Sequence, residues 1–142
     1  RNPDYLIGQH VLSSISIKKS GLKVVPVGYM LIESGRMTSV EYISNTKPIP
    51  SNKADIAVCT AVAGELLGMR SIYLEGGSGA DRPVPAEMIR AVKENISIPL
   101  IVGGGIRSVE ALKNAYASGA DVVVVGNVLE EQPELYTELC KL

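Results

Sequence analysis

Three apolar runs in the second half of the sequence stop on glycine. They are Ile72-Tyr73-Leu74-Glu75-Gly76-Gly77-Ser78-Gly79, Leu100-Ile101-Val102-Gly103-Gly104-Gly105 and Val122-Val123-Val124-Val125-Gly126-Asn127. Each run has the length of a strand, and a stretch of helical period follows it. At the carboxyl end of a parallel strand, glycine lets backbone N–H groups approach an anion with no Cβ in the way. Loop 76–79 can form a nest of N–H donors, to which Ser78 adds a hydroxyl. Gly103-Gly104-Gly105 precedes a helix that Ser108 is placed to cap, where the helix dipole favours negative charge. Gly126-Asn127 adds a third turn with an amide side chain. One such loop says little, because glycine also closes ordinary βα turns. Three on successive strands point to phosphate.

These loops contain no Lys or Arg. Arg107 follows the triple glycine, and with Ser108 at the cap it is expected to face solvent. Backbone amides would then carry the recognition. Glu75 is the one acid within the three junctions. A carboxylate cannot hold a phosphate, so its chemistry would be to accept a proton from a substrate hydroxyl. The competing assignment is a salt bridge to a neighbouring strand. Tyr73, two residues earlier, shares a face with Glu75 and could hydrogen-bond the same ligand. Tyr29 lies near the end of an earlier apolar run, where it would either line an apolar channel or fill the core.

Alternating elements must position these groups. A helix is expected over 10–19, ended by Ser20-Gly21, then a strand over 23–32 whose unbroken apolar character suits burial on both faces. A short segment over 38–43 leads to the loop Thr46-Lys47-Pro48-Ile49-Pro50, with Ser51 or Asn52 placed to cap a helix over 53–67. Strands over 71–75, 98–102 and 120–125 alternate with helices over 85–95, 109–118 and 133–141. Four βα units after a leading helix imply an α/β protein with a parallel sheet. That sheet is either open and doubly wound or part of a (β/α)8 barrel.

A full (β/α)8 barrel takes about 250 residues, and the chain has 142. It opens on Arg1-Asn2-Pro3 without an initiator Met and reads as the middle of a loop. Together these favour one domain over 1–142, the later part of a TIM-type barrel without its first strands. The 46% hydrophobic content suffices for a core, and 14 Lys and Arg against 15 Asp and Glu leave no basic face for nucleic acid. No apolar run nears the roughly 20 residues of a membrane span and no signal-peptide pattern is present, so a cytoplasmic setting is expected. Cys59 and Cys140 stand far apart and are expected to be small buried hydrophobes; His10, the single histidine, reads as structural.

The motif from Tyr73 to Ala80, the segment Val102-Gly103-Gly104-Gly105-Ile106 and Val125-Gly126-Asn127 resemble, in order and spacing, the geranylgeranylglyceryl phosphate synthase family and its bacterial prenylglyceryl phosphate relatives. The segment 46–50 and the Ala-rich helix after it resemble the second, more archaeal-type subgroup. The resemblance implies a (β/α)8 barrel and a Mg2+-dependent transfer of a prenyl group from prenyl diphosphate to the sn-3 hydroxyl of sn-glycerol 1-phosphate. By carry-over, Glu75 is the base and Tyr73 contacts glycerol phosphate. Leu74, Gly76, Gly77, Ser78 and Gly79 would join that contact. Gly104, Gly105, Gly126 and Asn127 would hold the phosphate, and Tyr29 would border the prenyl channel. The family's Mg2+ ligands belong to an N-terminal region not in this sequence, so the 142 residues alone are expected to be inactive. Members are commonly dimers or larger, so a homo-oligomer is expected.

Other readings stay open. A different phosphate-binding barrel, such as an isomerase, lyase or flavin enzyme, would use the same glycines, although the visible strand ends offer only Glu75 for the first two chemistries. A half-barrel that only binds phosphate or associates with itself is the non-enzyme alternative.

Overall fold

The computed structural model describes residues 8–139. In chain order the elements are α1 (Gln9–Ser20), β1 (Val27–Leu31), α2 (Ser39–Ser44), α3 (Ala54–Leu66), β2 (Ser71–Glu75), α4 (Ala86–Lys93), β3 (Leu100–Gly103), α5 (Val109–Ala117), β4 (Val122–Val124), α6 (Asn127–Glu131) and α7 (Leu135–Leu139). The strands form one parallel sheet in the order β1-β2-β3-β4. A doubly wound sheet reverses its strand order at a switch point, whereas a barrel wall adds each strand beside the last. The sequential order is that of a barrel wall.

Alternation along β2 and β3 divides the side chains. Ile72, Leu74, Leu100 and Val102 are fully buried on one face, packed in a core with Ala57 and Ala61 of α3, Met88, Ile89 and Val92 of α4, and Leu112 and Ala115 of α5. The other face carries two level rows across the strands: Tyr29, Tyr73, Ile101 and Val122, then Leu31, Glu75, Gly103 and Val124. Val27, Tyr29, Val122 and Val124 on this face are exposed.

Several expectations are corrected. The first strand begins at Val27 rather than residue 23, because Pro26 has no N–H to donate to a ladder and residues 23–25 are exposed. Nor is it buried on both faces, since Val27 and Tyr29 stand on the uncovered side. At its carboxyl end, the Ile49 N–H donates to the Leu31 carbonyl at 2.8 Å, and a parallel bridge links Ile32 to Ile49. Neither Ser51 nor Asn52 caps α3, whose N-cap is Lys53 without a side-chain bond. Ser51 instead donates its N–H and hydroxyl to the Glu33 carboxylate, at 3.2 and 3.3 Å. Cys59 is exposed, not buried. It lies two residues from both Ala57 and Ala61, which places it about 200° around the helix from the buried stripe. Residues 127–131, expected as a turn and its exit, form a short helix. Cys140 and the end of the final expected helix lie outside the described residues. Ser108 does cap α5, its Oγ accepting the Ala111 N–H at 3.1 Å, and His10 is exposed at the start of α1. Among the described residues, no helix is long and apolar enough to cross a membrane.

At the amino end of the sheet, Asp121 Oδ2 accepts from Lys93 Nζ and from the Leu100 N–H, each at 2.7 Å. The Lys93 hydrogen bond, then that from Leu100, hold its carboxyl below the usual carboxylate range. A depressed folded pKa means the stabilisation is present at neutral pH and is lost as pH falls through that value. Asp121→Ala is therefore expected to lower the melting temperature at pH 7 by about 3 °C, roughly 1 kcal/mol for a part-exposed, solvent-screened pair. The difference from the parent protein should shrink in acid. Melting curves at both pH values check this, and a deficit independent of pH would refute it.

Candidate active site

The level row through Leu31, Glu75, Gly103 and Val124 sets the loops after the four strands side by side. Between them lies a cavity of about 410 Å³, lined by Tyr73, Glu75, Gly104 and Gly105, by Gly77, Ser78 and Gly79, and by Gly126 and Asn127. The Gly76 N–H donates to the Gly103 carbonyl at 2.9 Å, tying the first two loops together beneath it. Ser78 Oγ donates to Asn127 Oδ1 at 2.8 Å across the cavity, joining the β2 loop to the β4 loop. Gly104 is obligatory here. Its φ is +86°, and a Cβ on it would sit 2.7 Å from the Gly76 backbone and 2.8 Å from Glu75 Oε1.

Glu75 is 8% exposed. Its Oε1 accepts the Gly77 N–H at 2.5 Å, and its carboxylate also accepts the Tyr73 hydroxyl hydrogen bond. Among the described residues no Lys, Arg or His pairs with it, so it is not the strand-to-strand salt bridge that sequence left open. A carboxylate has about four acceptor positions, so two bonds orient it and leave capacity for a substrate hydroxyl. Burial first, then the Glu75 hydrogen bond and charge, push the Tyr73 phenol well above its ordinary pKa. Tyr73 therefore remains a neutral donor. A Cβ at Gly103 would collide with its hydroxyl, which explains the glycine at that strand end.

Three expected site residues do not line the cavity: Gly76, whose N–H is taken by the Gly103 carbonyl, Leu74 and Tyr29. Leu74 is fully buried in the helix-side core, because alternation turns it away from Tyr73 and Glu75. Tyr29 lies on the open face, edge-on to Tyr73 with ring centroids 5.2 Å apart and planes at 70°.

Sequence reasoning missed other residues. Arg107 is exposed, as expected, yet its Nη2 also donates to the Ala80 carbonyl at 3.1 Å and the residue lines the cavity. Arg36 arrives from the loop after β1, and Glu131 from α6. Thr38 packs against Gly77, with its Oγ1 buried and without a hydrogen-bond partner. The available signal for Arg36 was its place just after a strand end, the same end of the sheet as the glycine loops. No three His, Cys, Asp or Glu converge among the described residues, and Glu75 is already engaged by Gly77 and Tyr73. These side chains do not fit a Mg2+ site.

The model of the PcrB family matches residues 1–141. The chain belongs to the PcrB family. Among its relatives, geranylgeranylglyceryl phosphate synthase of Spirosoma linguale is 53% identical over 139 residues, covering 98% of this chain and 56% of its own length. The enzyme of the same name from Pyrococcus horikoshii is 44% identical over 135 residues, covering 95% of this chain and 52% of its own. The crystal structure of (S)-3-O-geranylgeranylglyceryl phosphate synthase from Thermoplasma acidophilum, in complex with its substrate sn-glycerol-1-phosphate, superposes with a TM-score of 0.89 at 32% identity. That match covers 96% of this chain and 54% of the Thermoplasma chain. The chain thus spans about half the length of the PcrB-family relatives it matches.

Proposed function

We propose that this cavity binds sn-glycerol 1-phosphate for prenyl transfer to its sn-3 hydroxyl, in ether-lipid synthesis. The observation that carries the reading is the buried Glu75 carboxylate, oriented by Gly77 and Tyr73, beside a cradle of glycine amides. The likeness to a synthase holding sn-glycerol-1-phosphate supports it. The N–H groups of Gly79, Gly104 and Gly105, with Ser78 and Asn127, meet the phosphate. Glu75 accepts the sn-3 proton as that oxygen forms a C–O bond to the first carbon of the prenyl group. The bond from that carbon to diphosphate breaks, and diphosphate leaves with the electron pair. Tyr73 holds Glu75 and contacts the glycerol.

The open row of Tyr29, Ile101 and Val122 would lie along a geranylgeranyl chain. Geranylgeranyl diphosphate as donor, a Mg2+ requirement with ligands other than the residues described, a homo-oligomer and a cytoplasmic setting belong to the same proposal.

The direct test is amide NMR of the protein titrated with sn-glycerol 1-phosphate, glycerol and inorganic phosphate. The expected result is that the largest shifts fall at Gly79, Gly104 and Gly105, with sn-glycerol 1-phosphate binding tightest and glycerol giving no response. Saturating sn-glycerol 1-phosphate without shifts at these amides would overturn the assignment.

A further inference from the structure

Four charged side chains line the cavity: Arg36, Glu75, Arg107 and Glu131. The two carboxylates oppose a phosphate dianion, so amides alone would bind it against a negative field. The two arginines offset that field, but they are held differently. Arg107 is committed to the Ala80 carbonyl at 3.1 Å, as a brace for the loop. Arg36 is loosely held: its Nη1 lies 3.8 Å from Asp81 Oδ1, with the two side chains 57% and 51% exposed.

The backbone beneath Arg36 is fixed. The Arg82 N–H donates to the Ser34 carbonyl at 3.1 Å, which docks the β1 loop on the β2 loop. The guanidinium lies over Gly79, with Nη2 only 2.6 Å from where a Cβ on that glycine would stand. A firmly placed base and a weakly paired head describe a side chain able to change partner.

We propose that Arg36 is a phosphate-binding residue that leaves Asp81 for the phosphate monoester when the cradle fills. Asp81 is then its resting partner and its competitor. This rests on the phosphate reading of the cavity and adds to it a cation from outside the glycine loops. Guanidinium suits the task, because its rigid planar fork matches two phosphate oxygens, whereas an ammonium acts as a point charge.

The test is calorimetric titration of sn-glycerol 1-phosphate into the protein and its variants. Arg36→Gln should weaken binding about tenfold, as loss of one charge-assisted contact predicts. Arg36→Lys should fall between the two, keeping charge without the fork. Asp81→Asn should tighten binding about threefold, and that gain should vanish when Arg36→Gln is also present. Melting curves for each variant establish that it is folded, and Arg36→Lys carries the test should Arg36→Gln fail to fold. Binding within twofold of the parent for Arg36→Gln, or weakening by Asp81→Asn, overturns the partner exchange and leaves the cradle standing. A parent protein that does not bind sn-glycerol 1-phosphate overturns both this proposal and the phosphate reading beneath it.

Discussion

Glu75→Gln is expected to abolish prenyl transfer while leaving sn-glycerol 1-phosphate bound. The amide is nearly isosteric with the carboxylate, and its oxygen can still accept the Gly77 N–H that Oε1 accepts at 2.5 Å. Tyr73 keeps a partner as well, so the geometry of the cradle survives. What disappears is the proposed acceptor of the sn-3 proton, and removing a positioned general base costs about 10²–10⁴-fold in rate. The measurement is ether product formed from sn-glycerol 1-phosphate and geranylgeranyl diphosphate with Mg2+. It uses these residues joined to the portion of the Spirosoma linguale relative that they do not match. Affinity for sn-glycerol 1-phosphate should stay within about threefold of the parent, or rise slightly as repulsion between carboxylate and phosphate is relieved. Transfer at the parent's rate would remove Glu75 from the role of base. Equal loss of binding and turnover would make it a structural pillar of the cradle instead.

Gly104→Ala should have the second-largest effect, and it acts on binding. The φ of +86° is strained for any side chain, and the new Cβ would meet the Gly76 backbone as well as the Glu75 carboxylate. Gly76 cannot retreat easily, since its N–H is bonded to the Gly103 carbonyl at 2.9 Å. Strain and overpacking of this kind cost about 2–4 kcal/mol together. The two loops must part to relieve it, which spreads the amides that converge on the phosphate. Affinity for sn-glycerol 1-phosphate should fall at least about 30-fold, as the same energy implies, and the melting temperature should drop. Gly126→Ala is the contrast for stability, because φ there is −124° and a Cβ would meet nothing within 4 Å. Its melting temperature should match the parent's. Equal destabilisation by both substitutions would refute the steric account.

The alternation of strands and helices, the glycine turns at the strand ends, and the shared face of Tyr73 and Glu75 were legible along the chain. These follow from short-range rules: a period of two along a strand, a period of 3.6 along a helix, and the steric cost of a Cβ in a tight turn. What crosses between elements follows from how the strands and loops dock. Strand order and register made Leu31, Glu75, Gly103 and Val124 level, and so made three separate turns into one cavity. The reach of Arg36 over Gly79, the bond from Arg107 to the Ala80 carbonyl and the burial of Thr38 against Gly77 depend on that docking. Long side chains with several rotatable bonds carry no periodic signal of where their ends will lie. Exposure was decided at the same level. Tyr29 and Val27 look like core residues along the chain, yet they stand open because no described element covers that face of the sheet. Glycine spacing could announce an anion site, but the groups that charge and brace it became visible only when four strand ends stood side by side.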